Sequence, residues 1–212
     1  MARPQGVRNR DFDEKRAKLL ATLTDYALNS DLKRPSLRQF ALAAGASEPT
    51  LRHYFVDRAG LVEAILQEIG VRGERIWALA RTPSASIEDA VSEYLTLSEG
   101  GARHRGFVRA HAFGLIEGLA DAEAGRAYAI HVLDPALDAV AEKFRATPEG
   151  PQSAAELRTL GLMLLAPLLL AVMRDEFLKS EIDPDLDLTS CVKILGDWTI
   201  ASLSAGAASS DN

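Results

Sequence analysis

The chain has 212 residues, 47% hydrophobic and 25% charged, the balance of an ordinary soluble globular protein of one or two domains. Its single cysteine, Cys191, excludes an intramolecular disulfide and a Cys-rich zinc site, and makes a reducing cytoplasm the expected compartment. The net charge of −6 argues against a nucleic-acid partner until its placement is considered.

Residues 1–60 hold eight arginines and three lysines against seven acids, a net +4. Residues 61–212 hold thirteen bases against twenty-three acids, a net −10. A basic head suits a polyanion, and an acidic body would be repelled by one. The basic start leads into no apolar run of the kind a secretory signal carries. The longest apolar run, 160–173, spans 14 residues and contains Gly161 and Pro167. A membrane span needs about 20, so a buried helix and no membrane are expected.

Nearly every segment reads as helix, so the expected fold class is all-α: a helix-turn-helix head on a larger helical body. The first helix is expected from Asp11, as N-cap, with Glu14 as its capping-box partner. Phe12, the stem of Arg16, Leu19, Leu20, Leu23, Tyr26 and Ala27 form one apolar face, and the segment at 29–31 ends the helix. Arg3, Arg8 and Arg10 precede it. They read either as an arm for the minor groove or as a solvated terminus, and Pro4 and Gly6 favour the second.

Ser36 and Gln39 form a capping box for a second helix whose buried face is Leu37, Phe40, Ala41 and Ala44. Gly45 then supplies the left-handed conformation at the helix end. Ser47 caps a third helix with Pro49 in its first turn. Asp57 caps a fourth, with Leu61, Val62, Ile65, Leu66 and Ile69 inward. Further on, Ser86 and Asp89 cap a helix to about Leu97, which Gly100 and Gly101 break. Helices follow over 103–118 and 121–145, the latter kinked near Pro135. Residues 148–151 (Pro-Glu-Gly-Pro) break the chain. A long apolar helix is expected over 153–178, and Asp183 and Pro184 open a last one to about Leu203. The small, polar tail 205–212 is expected to fray.

Residues 36–55, SLRQFALAAGASEPTLRHYF, carry the functional signal. Two short capped helices flank a glycine turn, the spacing of a helix-turn-helix whose second helix enters the major groove. Ser36, Ser47 and Thr50 offer hydroxyls at helix starts. Glu48 and Pro49 stand at the groove-facing end. Arg52 can pair with guanine, while His53 and Tyr54 suit phosphate oxygens. Arg58 and Arg38 are placed to reach the flanking backbone. Leu51 and Phe55 are core. A helix pair with a glycine turn also occurs as plain structure in all-α proteins; the charge split favours DNA.

The stretch from Leu19 to Leu66, with Gly45-Ala-Ser-x-x-Thr-Leu-x-x-Tyr-Phe55 followed by Asp57-Arg-x-x-Leu-Val, resembles the head of TetR-type (tetracycline-repressor-like) transcriptional regulators. The specific match covers about a quarter of the chain. The resemblance implies a nine- or ten-helix dimer with a DNA head joined by its fourth helix to an effector-binding body. It also implies phosphate contact by Tyr54, a contact by Thr50 and a basic group at Arg58. Arg52 stands where the family often has an aromatic and Arg58 where it often has lysine, and Glu48 with Pro49 is unusual at the helix start. On this reading residues 1–60 are the DNA-binding domain and residues 61–212 the effector-binding and dimerisation domain.

The run 160–173 is apolar on all faces and must be buried all round. The last helix, with Leu188, Cys191, Val192, Leu195 and Trp198, is also too apolar for solvent. Together, over about 153–178 and 184–203, they suggest a homodimer interface; both being simple core is the other reading. Trp77, Tyr94, Phe107, His111, Phe113 and Tyr128 can wall a pocket for a small, largely apolar effector, though each also suits ordinary packing. Arg109 is expected to pair with Glu117 on the surface. His104 and His111 share a helical face but lack a third ligand, and Asp183, Asp185 and Asp187 read as a helix-start cap cluster, so no metal, cofactor or catalytic site is expected. The expected function is a cytoplasmic, ligand-released repressor binding a palindromic operator in double-stranded DNA. The alternatives are an all-α small-molecule-binding or enzymatic protein and a ligandless architectural DNA binder.

Overall fold

A computed structural model describes residues 5–29, 34–103, 106–178 and 187–210. Among these no strand occurs, and the fold is all-α. The chain divides into two compact units, residues 1–72 with 109–132, and residues 73–108 with 133–212.

In the first unit, α1 (Gln5–Asn29), α2 (Leu37–Ala43) and α3 (Glu48–Phe55) lead into α4 (Arg58–Ala80). The local signals act as expected. Ser36 and Gln39 form a reciprocal capping box, and Ser47 accepts from Thr50 N. Gly45 takes φ +60°, and Asp57 accepts from Gly60 N at 2.9 Å. Leu23, Ala27, Phe40, Leu51 and Phe55 are buried, as are Leu61, Val62, Ile65, Leu66 and Ile69 along α4.

The start of α1 departs from expectation. The helix begins at Gln5, with Arg8 and Arg10 in its first turns. Asp11 is therefore inside the helix and pairs with Lys15 at 3.1 Å instead of capping. Gly6 costs only about 1 kcal/mol there, and each residue added to an existing helix gains a hydrogen bond. Arg3, Asp31, His104, Asp183, Pro184 and Asp185 lie outside the described residues.

The same unit takes in most of α6 (Gly106–Ala120) and all of α7 (Ala122–Tyr128). Asp121 caps α7 by accepting from Glu123 N and Ala124 N. The two helices come close where a side chain on Gly118 would meet Gly125 and one on Gly114 would meet the Tyr128 ring.

The second unit packs α5 (Ile87–Arg103), α8 (Asp134–Ala146), α9 (Ala154–Met173) and α10 (Leu188–Ser210). Ile87, Val91, Tyr94 and Leu95 meet Val140, Phe144, Leu157, Leu164 and Leu168 in its core. Ser86 caps α5 by accepting from Asp89 N at 3.1 Å. The expected break at Gly100 and Gly101 does not occur, because glycine weakens a helix without removing its donor as proline does. Pro135 does mark a distortion. A π-helical turn, Ala129–Leu133, precedes α8 and widens the backbone ahead of the proline.

The run expected to be buried all round is buried on one side only. Leu157, Gly161, Leu164, Leu165, Leu168 and Val172 face inward, while Leu162, Met163 and Leu170 are exposed. By length and composition Ala154–Leu178 could cross a membrane, with a mean hydropathy of 1.7 in its most apolar window. Its inner face instead packs on α8 and α10. The described part of α10 starts with Asp187 accepting from Ser190 N at 2.8 Å and continues past Leu203 to Ser210, through part of the tail expected to fray.

Candidate nucleic-acid interface

The two short helices pack against each other. Leu37, Phe40 and Ala41 of α2 and Leu51 and Phe55 of α3 are buried. Helical periodicity then turns the intervening residues outward. Ser36, Arg38, Ser47, Pro49, Arg52 and His53 are exposed, and Glu48, Thr50 and Tyr54 are half-buried. Among the described residues, no acid pairs with Arg38 or Arg52.

At the start of α3 the Ser47 and Thr50 hydroxyls lie 2.8 Å apart, and Ser47 Oγ also accepts from Thr50 N. One hydroxyl donates to the other, so one hydroxyl hydrogen of the pair remains for an outside acceptor such as a phosphate. Ser36 is similarly engaged, its Oγ donating to Gln39 Oε1 at 3.0 Å. Its remaining capacity is that of an acceptor, which suits a base amino group better than a phosphate.

The far end of α3 is gripped by α1. Phe12 sits 4.8 Å from the Tyr54 ring and 5.4 Å, edge to face, from the His53 ring. Arg16 donates from Nε to the Tyr54 carbonyl at 3.4 Å, and its guanidinium lies 5.1 Å from the centre of the Phe55 ring. This meets one of the carbonyls left over at a helix end and places a cation at the negative pole of the helix. Apolar periodicity placed Phe12 and Arg16 on the inner face of α1, but nothing in it marked them as partners of α3.

Between α3 and α4 the backbone is strained. Val56 has φ 69° and ψ −61°, and Asp57 N donates to Phe55 O at 2.8 Å, a three-residue γ-turn of the rare positive-φ kind. A β-branched residue is poorly suited to that conformation.

Arg58, expected to reach the flanking backbone, has partners inside the protein as well. Its Nη1 and Nη2 donate to Glu117 Oε2 and Oε1 at 3.0 and 2.6 Å, and its Nε donates to Pro35 O at 2.8 Å. Arg34 Nε adds a bond to Glu117 Oε2 at 3.0 Å. Glu117 is thus fully buried and does not pair with Arg109 on the surface as expected; Arg109 donates to Leu28 O. Sequence reasoning missed this centre because its partners lie 59 and 83 positions apart.

The six aromatic and histidine candidates for an effector site divide into two sets. Trp77, Tyr94 and Phe107 line one small apolar cavity of about 30 Å³ with Leu97, Ser98 and Leu165. That is room for about one water, far below the roughly 300–1,000 Å³ of a ligand pocket. Burial pushes the Tyr94 phenol up to about 12, and a hydrogen bond with Ser98 opposes the shift. His111, Phe113 and Tyr128 belong to the other unit and do not line this cavity. His111 Nδ1 and the Tyr128 hydroxyl are 2.7 Å apart in the buried interior.

No protein-family model matches the chain, and no curated protein matches it. A solved structure does: a protein from Mesorhizobium loti MAFF303099 assigned to the TetR family of transcriptional regulators. It aligns over 92% of this chain and 96% of its own, with a TM-score of 0.62 and 15% sequence identity. At that identity the likeness speaks for architecture, and this chain has the all-α fold of that TetR-family protein.

Proposed function

We propose that the chain is a DNA-binding transcriptional regulator of the TetR type, acting in the cytoplasm as a homodimeric repressor released by a small, largely apolar ligand. The observation that carries the reading is the capped helix pair: its inner residues are core, while Arg38, Ser47, Pro49, Arg52 and His53 stand exposed on its surface. The fold likeness over nearly the whole of both chains supports it.

In this reading α3 lies in the major groove. Arg52 reads a base edge, Ser36, Arg38 and Thr50 contact the strands beside it, and Tyr54 holds a phosphate. Ser47, Glu48, Pro49 and His53 complete the contact face. Two copies place their recognition helices about 34–36 Å apart on a palindromic site. The exposed apolar residues Leu162, Met163, Leu170, Ile194 and Trp198 support α9 and α10 as the seam between them. An effector would enter the cavity beside Trp77, Tyr94 and Phe107 and enlarge it, with the Tyr94 and Ser98 hydroxyls offering polar anchors. Coupling of about 1–3 kcal/mol would change operator affinity roughly 5–150-fold.

A mobility shift on duplexes enriched from a random pool tests the core of this. Wild-type binding that weakens with salt is expected. Tyr54→Phe should weaken every duplex alike, and Arg52→Ala should change sequence preference. Equal losses on all sequences would remove Arg52 from base reading. Absence of salt-dependent duplex binding by the wild type would sink the regulator reading and leave the helix pair as plain structure.

A further inference from the structure

Glu117 is fully buried, yet it gathers the two chain segments that bracket the helix-turn-helix. Arg34 and Pro35 stand just before α2, and Arg58 opens α4 just after α3. The Glu117 side chain is 0% exposed and accepts three hydrogen bonds, two from Arg58 and one from Arg34. The Arg58 fork meets the carboxylate with two parallel bonds, an arrangement that tolerates one orientation and that lysine cannot reproduce. Its Nε fixes the Pro35 carbonyl at the same time. Three of the five N–H donors of Arg58 therefore point into the protein. A buried ion pair adds little stability over an apolar replacement, but it can fix one arrangement among several.

We propose that Glu117 is a positioning residue for DNA binding: through Arg58 and Arg34 it sets the angle of α3 against α6, and Arg58 makes no phosphate contact of its own. The inference rests on the DNA-binding reading above. It gives Arg58 a role unlike that of a basic group resting on the DNA backbone.

The test uses the full-length chain and two duplexes, one enriched by the wild type from a random pool and one of unrelated sequence. Dissociation constants are measured across salt concentrations, with circular dichroism to show that each variant is folded. Glu117→Gln, Arg58→Ala and Arg58→Lys are each expected to weaken the enriched duplex five- to fifty-fold. Binding to the unrelated duplex and the salt slope should stay unchanged. A variant that is folded by circular dichroism yet weakens both duplexes equally would overturn the positioning role. It would also be overturned if Arg58→Lys kept wild-type affinity, or if the slope fell by about 0.9 in Arg58→Ala, the signature of one lost phosphate contact. Equal or tighter binding by Glu117→Gln would overturn it too. If Glu117→Gln does not fold, Arg58→Lys carries the same comparison. A wild type that binds neither duplex would remove the DNA-binding reading and the inference with it, whereas every other outcome leaves that reading standing.

Discussion

His111 Nδ1 on α6 and the Tyr128 hydroxyl at the end of α7 lie 2.7 Å apart, with both side chains buried. Burial pushes the His111 imidazole down to about 4, so the folded protein keeps it neutral where an unfolded chain would protonate it. The unfolded state then binds more protons below its ordinary value of about 6.5, and stability falls as pH drops from there toward 4. At about 1.4 kcal/mol for each pH unit below 6.5, about 2 kcal/mol should be lost by pH 5. Urea midpoints at pH 7 and pH 5 would show this for the wild type. His111→Asn should flatten the dependence, and an equal slope in both proteins would assign it elsewhere.

The Val56 backbone predicts a stabilising substitution. Its side chain is 78% exposed, so little packing is lost on removing it. A strained non-glycine conformation costs about 1–3 kcal/mol, and glycine adds an entropic cost of about 0.5–1 kcal/mol. Val56→Gly should therefore gain on the order of 1 kcal/mol, read as a higher urea midpoint with an unchanged slope. A lower midpoint would show that the turn is not strained.

Two glycines should respond in opposite senses to alanine. A Cβ on Gly114 would collide with the Tyr128 ring, and Gly114→Ala is expected to cost about 1–3 kcal/mol as overpacking. Gly100 lies within α5 with nothing within 4 Å of such a Cβ, so Gly100→Ala should gain up to about 1 kcal/mol of helix propensity. Thermal melts of the pair provide the comparison. Similar shifts in both would contradict the close approach at Gly114.

The homodimer reading predicts a mass. Light scattering should give about twice the 22.9 kDa of one chain. Trp198 is 73% exposed on α10, and Trp198→Glu should reduce the measured mass toward that of one chain without unfolding it. A wild type already at one chain's mass would end the dimer reading, and an unchanged mass in the variant would place the seam away from Trp198.

How much of this was legible beforehand follows from the range of the interactions. The caps at Ser36, Ser47, Asp57 and Ser86 use partners three residues away, and Gly45 uses only its own backbone freedom. Such signals are written in consecutive residues, so the helix pair, the entry to α4 and its buried stripe were all readable. Chain breaks were harder. Gly100 and Gly101 keep their donors and stay helical where a break is expected, whereas the kink expected near Pro135 coincides with a π-helical turn.

The amino-acid sequence by itself determined an all-helical chain with a capped helix-turn-helix, because periodicity and capping are local. Only the tertiary structure decided which polar groups face inward. Arg58 looked like a surface cation until Glu117, 59 positions away, took its fork, and Arg109 parted from Glu117 for the Leu28 carbonyl. Trp77, Tyr94 and Phe107 met at one cavity while His111 and Tyr128 met elsewhere. Long-range pairing depends on how helices pack, and no spacing along the chain encodes it.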